Sequence, residues 1–365
     1  MFRRCFLILP AIVLLSSCSF SSPNINTQNN IEPEVEDKLE VTETNMIEDE
    51  IEISEEKGEE IIETEEIKQK TEQAFLSGKL NTNTAIRSIE LDKVLGGGPS
   101  KDGIPSIDAP KFSSIENASK NLKDDTQGIL INKNNKQRFY PYNILVWHEI
   151  VNDTFQDENI AVTFCPLCGS AVVYKAEVNN EAVQFGVSGK LYESNLLMYD
   201  RKTESLWSQI QGEAVVGEFT GKKLEVLPFQ VLTFQEIKEK YPQSEILSDN
   251  TGFRKDYSFY PYGNYDSSET LYFPVSYKDE TLSAKEIMYI VNVQDTSAAF
   301  VLKKLREEKK AQLEVNQENI EVIFKDGEVF AKNLTQNKDI PGYYGMWFSW
   351  VAHNKEDAIF WNGEK

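Results

Sequence analysis

The chain of 365 residues holds 59 Asp or Glu against 38 Lys or Arg, for a formal net charge of −21. Acid in that excess, with no basic stripe, argues against nucleic acid as a partner. With four cysteines and two histidines in all, any soft-ligand or thiol chemistry must be built from a few named side chains.

From the N-terminus, Arg3 and Arg4 precede the apolar run from Cys5 to Leu15, which is too short to cross a bilayer comfortably. Basic residues, a short apolar core and small residues ahead of a cut site predict an export signal over residues 1–17. Leu15-Ser16-Ser17-Cys18 has the form of a bacterial lipobox, with Cys18 as the first mature residue and the acceptor of acyl chains. An ordinary signal peptide cut near Ser22, or a weak membrane anchor, is the plainer alternative. Acylation would hold the chain to membrane lipid, each buried methylene adding about 0.8 kcal/mol. The expected location is therefore the cell membrane or outer membrane, lipid-anchored and facing outside the cytoplasm.

Residues 18–83 read as a lipidated N-terminus followed by a solvated linker. Between residues 31 and 70 there are 17 acidic side chains and 4 lysines, and repulsion among them favours an extended tether over a packed helix. A globular composition begins near residue 84 and continues to 365. Runs such as "AVTFC", "SAVVYKAEV", "NLLMYD", "MYIVNV" and "IEVIFKDGEVFAKN" predict strands, with Asp326-Gly327 as a tight hairpin turn. One helix is expected over "TFQEIKEKY", halted by Pro242, and another over "SAAFVLKKLREEKKAQL" from Ser297. The aromatic tail "MWFSWVAHNKEDAIFW" fits either helix or strand in a core. No internal repeat is evident. The order lacks regular βαβ alternation, so the fold class is mainly β or α+β, antiparallel and β-rich with a few interspersed helices.

The stretch "AVTFCPLCGSAVVY" carries the most chemistry. Cys165 and Cys168 flank a Pro-Leu pair, and Gly169 can adopt a backbone conformation costly for other residues. A turn of this kind resembles a zinc knuckle, aiming two sulfurs at one point. No second C-x-x-C exists, so further ligands must come from His148, His353 or carboxylates. Cys165, Cys168 and His148 would form a three-ligand site with an open position, suited to copper or zinc. The plain alternative for His148 is a hydrogen-bonded imidazole beside Trp147. Thiol–disulfide exchange is the second reading. It meets a mismatch, because the β-branched run after Gly169 predicts a strand where a thiolate-stabilising helix would be needed. A structural disulfide is the third, and so short a loop removes little chain entropy.

Two further polar clusters stand out. Asp200-Arg201 in "DRKT" reads as a turn or ion-pair device between two strands. The stretch "TGFRKDYSFYPYGNYD" gathers Arg254, Asp256, Tyr257, Tyr260, Tyr262 and Tyr265; such a loop can clamp a polar ligand or simply pack. With Arg201, the residues Arg254, Asp256 and Tyr257 make the candidate ligand-binding set. No Ser-His-Asp arrangement, phosphate loop or H-E-x-x-H is legible.

Taken together, "WHEIVND", "AVTFCPLCGSAVVY", "FGVSGKLYESNLLMYDRKTESLWSQ", "GKKLEVLP", "TGFRKDY" and "PYGNY" resemble an exported bacterial family known as domain-of-unknown-function family 3179. The resemblance spans about residues 140–274, with a looser continuation to the C-terminus. Matching positions are His148, Cys165, Cys168, Gly189, Tyr192, Asp200, Arg201, Trp207, Gln209, Arg254, Asp256 and Tyr257. The family carries no established activity to transfer. The expectation from sequence is thus a membrane-anchored lipoprotein whose β-rich domain binds copper or zinc through the C-P-L-C-G turn. A thiol–disulfide oxidoreductase and a ligand-binding module on residues 253–265 are the alternatives.

Overall fold

The computed structural model describes residues 79–363. The expected signal peptide, Cys18 and almost all of the expected acidic tether lie outside them. Among the described residues, no helix is long and apolar enough to cross a membrane. Packing takes in Leu80 and Thr82, both buried, a few residues ahead of the expected start at 84.

Antiparallel strands dominate and the helices are short, as the sequence predicts. The expected helix after Leu232 spans Phe234–Lys240, begun by Thr233, whose side chain and that of Glu236 close a capping box. The helix expected from Ser297 is much shorter. Thr296–Val301 is a strand, because its apolar residues pair with Ile287–Val293, and only Leu302–Glu308 is helical. Asp326-Gly327 turns a hairpin in which Lys325 opposes Glu328. The aromatic tail uses both conformations: strand Gly342–Met346, helix Trp347–Asn354 and strand Ile359–Trp361.

The chain does contain a repeat, contrary to the expectation from sequence. The hairpin Gln127–Lys133 and Lys136–Pro141, the helix Tyr142–His148 and the meander Ile150–Phe155, Glu158–Cys165, Ser170–Lys175 form one copy. They recur, element for element and at equal lengths, as Ile287–Val293, Thr296–Val301, Leu302–Glu308, Lys310–Val315, Glu318–Lys325 and Glu328–Asn333. Both helices end on a left-handed residue, Glu149 at φ 58° and Lys309 at φ 67°. Each copy is completed by a strand, a helix and a strand paired in parallel: Gln230–Thr233, Phe234–Lys240 and Glu245–Leu247 in the first, and the aromatic tail in the second. Few positions keep their identity between copies, among them Leu145/Leu305, Glu158–Ile160/Glu318–Ile320, Val162/Val322 and Phe164/Phe324. Hydrophobic pattern and turn geometry hold the rest, which is why the letters conceal the repeat.

The copies exchange halves. A seven-stranded sheet joins the hairpin and tail strands of the second copy to the meander of the first, with Gly342–Met346 beside Ser170–Lys175. The first copy's hairpin lies in another sheet, with Gln230–Thr233 at its edge. There the Gln230 side chain accepts from Val329 N at 2.9 Å and donates to Val329 O at 2.8 Å, reaching the second copy's meander. Only the first copy carries a large insertion. Its strands Phe185–Tyr192, Asn195–Asp200, Leu206–Ser208 and Glu213–Val216 make a separate antiparallel sheet with Val94–Gly96.

Candidate functional site

Cys165 ends the strand Glu158–Cys165 and faces Ser170 across the hairpin. The second copy turns at the same place with Asp326-Gly327 alone, so Pro166–Gly169 is a longer connection unique to the first copy. Cys168 N donates to Cys165 O at 3.3 Å, and Gly169 closes the turn at φ 54°. A Cβ on Gly169 would meet the Met346 side chain at 3.1 Å, so both backbone and space favour glycine there. Met346 N holds Cys168 O at 2.8 Å, which ties the turn to the second copy. Both cysteines are free thiols, 1% and 0% exposed.

The insertion supplies polar groups to one of the two sulfurs. Asn195 Nδ2 donates to Cys168 Sγ at 2.9 Å, and the Ser170 hydroxyl lies 3.3 Å from the same sulfur. Ile210 N can only donate, and it meets Asn195 Oδ1 at 3.1 Å, so the amide must present its NH2 to the sulfur. Gln209 fixes the arrangement further. Its Oε1 accepts from Asn195 at 3.0 Å and from Ser170, while its Nε2 donates to Thr163 Oγ1 at 2.8 Å.

The two thiols are consequently unlike. Burial alone raises Cys168, but the hydrogen bonds from Cys165 and Asn195, with the Ser170 hydroxyl alongside, outweigh it and bring the thiol down to about 7. Cys165 is pushed well above the ordinary thiol range, by burial first, then by its hydrogen bond to Cys168 and the charges of Cys168 and Glu149. The sulfur that ionises near neutral pH is therefore Cys168, while Cys165 holds its proton.

Glu149 and the tyrosine-rich loop close the site. Glu149 follows the helix Tyr142–His148 and is buried; burial, then the Cys168 charge, raise its carboxyl to about 8 against a small opposing pull from Tyr262. Tyr262 donates to Glu149 Oε1 at 3.4 Å, and Tyr265 donates to Leu167 O at 2.7 Å inside the cysteine turn. The Lys285 ammonium lies 3.4 Å from the Tyr265 ring centre. The loop proposed from sequence as a separate binding module thus lies on the cysteine pair as its cap.

The other predicted residues have different settings. His148 Nδ1 meets Pro105 O at 2.7 Å, an acceptor only, so Nδ1 carries the proton and Nε2 accepts from Tyr257 O–H at 2.7 Å. Both nitrogens are engaged, and burial keeps the imidazole below its usual range, so it is neutral. Among the described residues no group of three or more His, Cys, Asp or Glu is arranged to hold a metal. Arg201 pairs with Asp108 Oδ2 and Ser106 Oγ, both at 2.8 Å, on the wall of a cleft of about 660 Å³. Arg254, Asp256 and Tyr257 do not line that cleft, so the ligand-binding set is not assembled. Asp256 caps Ser258 within its own loop, and Arg254 is exposed. Asp200 organises the "DRKT" turn and accepts from the buried Trp207 indole at 3.0 Å. His353 donates to Ser349 O at 2.7 Å, one turn back on its own helix.

Glu149, Ser170 and Asn195 are missed by the sequence reading. Asn195 has a visible signal, a carboxamide heading the wholly apolar run Leu196–Tyr199. Glu149 is a carboxylate between a histidine and an apolar strand, while Ser170 looks like an ordinary small residue.

A family model described as "Protein of unknown function (DUF3179)" matches residues 101–343. The chain belongs to this family. The matched span takes in the cysteine turn, the insertion and the cap. No curated protein and no solved structure matches the chain.

Proposed function

We propose that Cys165 and Cys168 form a thiol–disulfide redox centre with Cys168 as the attacking thiolate. The observation that carries this reading is the unequal treatment of the two sulfurs: Asn195 directs a polar hydrogen at Cys168 at 2.9 Å, and Cys165 itself donates to it. Sequence reasoning discounts exchange because no helix follows the turn. Side-chain donors take over the helix's role, and they act on the second cysteine.

In the exchange, a Cys168 lone pair forms a bond to one sulfur of a partner disulfide, and the other partner sulfur leaves as a thiolate and is protonated. Cys165 then loses its proton and attacks Cys168 Sγ, expelling the second partner sulfur. Two electrons pass from the chain's dithiol to the partner, leaving a Cys165–Cys168 disulfide. Both sulfurs are buried, so a partner gains access only when the cap bearing Tyr262 and Tyr265 opens. Copper or zinc on the same sulfurs would need Cys165 to ionise beside an existing anion in a dry site, with His148 already engaged at both nitrogens. Exchange needs only the thiolate that the site already favours. With acylated Cys18 as an anchor, the centre would work at a membrane surface outside the cytoplasm, where disulfides persist.

The test is the full chain purified anaerobically without added metal. The reading expects two thiols that disappear with mild oxidant and return with a dithiol reductant, and an ultraviolet thiolate signal with a midpoint of about 7 that Cys168→Ser abolishes. One copper or zinc bound per chain, with no reversible oxidation, would reverse the reading in favour of a metal site.

A further inference from the structure

Resting on the exchange reading, we infer that Glu149 is the proton reservoir of the couple: its backbone carbonyl accepts from Phe164 N at 2.8 Å, next to Cys165, and its carboxyl is buried under the Tyr262 hydroxyl. The scaffold needs a left-handed residue after this helix but not a carboxylate: Lys309 occupies the equivalent position at φ 67° with its side chain exposed and its ammonium over the Phe324 ring. Glu149 instead turns its carboxyl inward, only 5% exposed, toward Cys168 and Tyr262, neither of which is a cation. Such a burial stabilises nothing by pairing and calls for another role.

The remaining groups around the sulfurs are unsuited to moving a proton near neutral pH. Tyr262 and Tyr265 hold theirs too tightly, burial being the first cause in both. His148 precedes Glu149 but is turned to Pro105 and Tyr257. Ser170 does not ionise in this range. The Glu149 carboxyl, raised to about 8 partly by the Cys168 anion, has a proton affinity that depends on the state of that sulfur.

The proton balance follows. In the reduced site Cys168 is anionic, and Cys165 and Glu149 are protonated. When Cys168 enters the mixed disulfide its charge is gone, and Glu149 gives its proton to the leaving thiolate. The carboxylate then takes the proton of Cys165 as that sulfur attacks, and passes it to the second leaving thiolate. The oxidised site is left with a disulfide and an ionised Glu149, so one negative charge is kept at every stage in the dry site.

The experiment is the proton uptake that accompanies two-electron reduction of the full chain, at a pH between the Cys168 and Glu149 midpoints. Uptake approaching two protons is expected for the native chain and about one for Glu149→Gln, since the amide cannot take the second. Should that variant not fold, infrared difference spectra of the native chain give the same answer: a protonated carboxyl band present in the reduced protein and lost on oxidation. Equal uptake in both chains, or no such band, overturns the role of Glu149 while leaving exchange intact. A native chain that never cycles overturns both.

Discussion

Asn195→Ala should return Cys168 toward an ordinary thiol. The native amide gives the sulfur a hydrogen bond of 2.9 Å inside a fully buried site, and a bond to a charged acceptor is worth about 1.5–3 kcal/mol. At about 1.36 kcal/mol for each tenfold change in ionisation, the midpoint should rise from about 7 most of the way to the ordinary thiol value of 9.0. Stability follows with a definite sign. Because the folded pKa is depressed, this thiol stabilises the native state fully above about 9 and loses that contribution as pH falls through about 7, a span worth about 3 kcal/mol. Asn195→Ala should shrink that pH-dependent part, in addition to the pH-independent loss from orphaning Ile210 N. Ultraviolet titration of the thiolate, with Cys168→Ser as the blank, measures the midpoint directly. An unmoved midpoint in Asn195→Ala would refute the idea that the insertion tunes this sulfur.

Glu149→Gln should stabilise the fold near neutral pH. The folded carboxyl is raised from 4.5 to about 8, so its contribution is complete below about 4.5 and lost as pH rises through about 8. Removing that loss is worth about 3 kcal/mol near pH 7, and denaturant melts across pH that superimpose for the two chains would count against it. Tyr265→Phe removes the 2.7 Å bond that holds the cap to Leu167 O, worth about 0.5–1.5 kcal/mol. Alkylation of Cys168 in the folded protein should then speed up by as much as about tenfold, and an unchanged rate would mean that the cap opens elsewhere. His148→Ala should cost about 1–3 kcal/mol by leaving Pro105 O unpaired and Tyr257 O–H with Thr251 as its remaining partner, with the Cys168 midpoint unmoved. A shifted midpoint would return His148 to the sulfur site. The native imidazole is kept neutral by burial, so its contribution holds above 6.5 and is lost as pH falls below that value.

Fold class was legible because strand alternation and turn residues are local signals. Asp326-Gly327, the capped helix after Thr233 and the "DRKT" turn all follow from a few neighbouring residues. What failed depends on distant partners. "SAAFV" carries a helix-like composition and becomes a strand because Ile287–Val293 is available to pair with it. The cysteines are legible from their spacing, but their inequality arises from Asn195 on an inserted strand. Likewise, the tyrosine loop and the cysteine turn read as rival sites along the sequence, and one hydrogen bond from Tyr265 to Leu167 makes them a single site.

The exchange of halves between the two copies fixes how this protein can be cut and recombined. Severing the chain between Leu247 and Ile287 would strand the first copy's meander without the Gly342–Met346 strand that flanks it, and leave the second copy's meander without Gln230. Each fragment would present unpaired sheet edges to solvent and to other fragments. Neither half is a transferable module, and a gene encoding one of them would need to meet its complement in the same cell, as two chains of an obligate heterodimer do, before the thiol turn could be assembled.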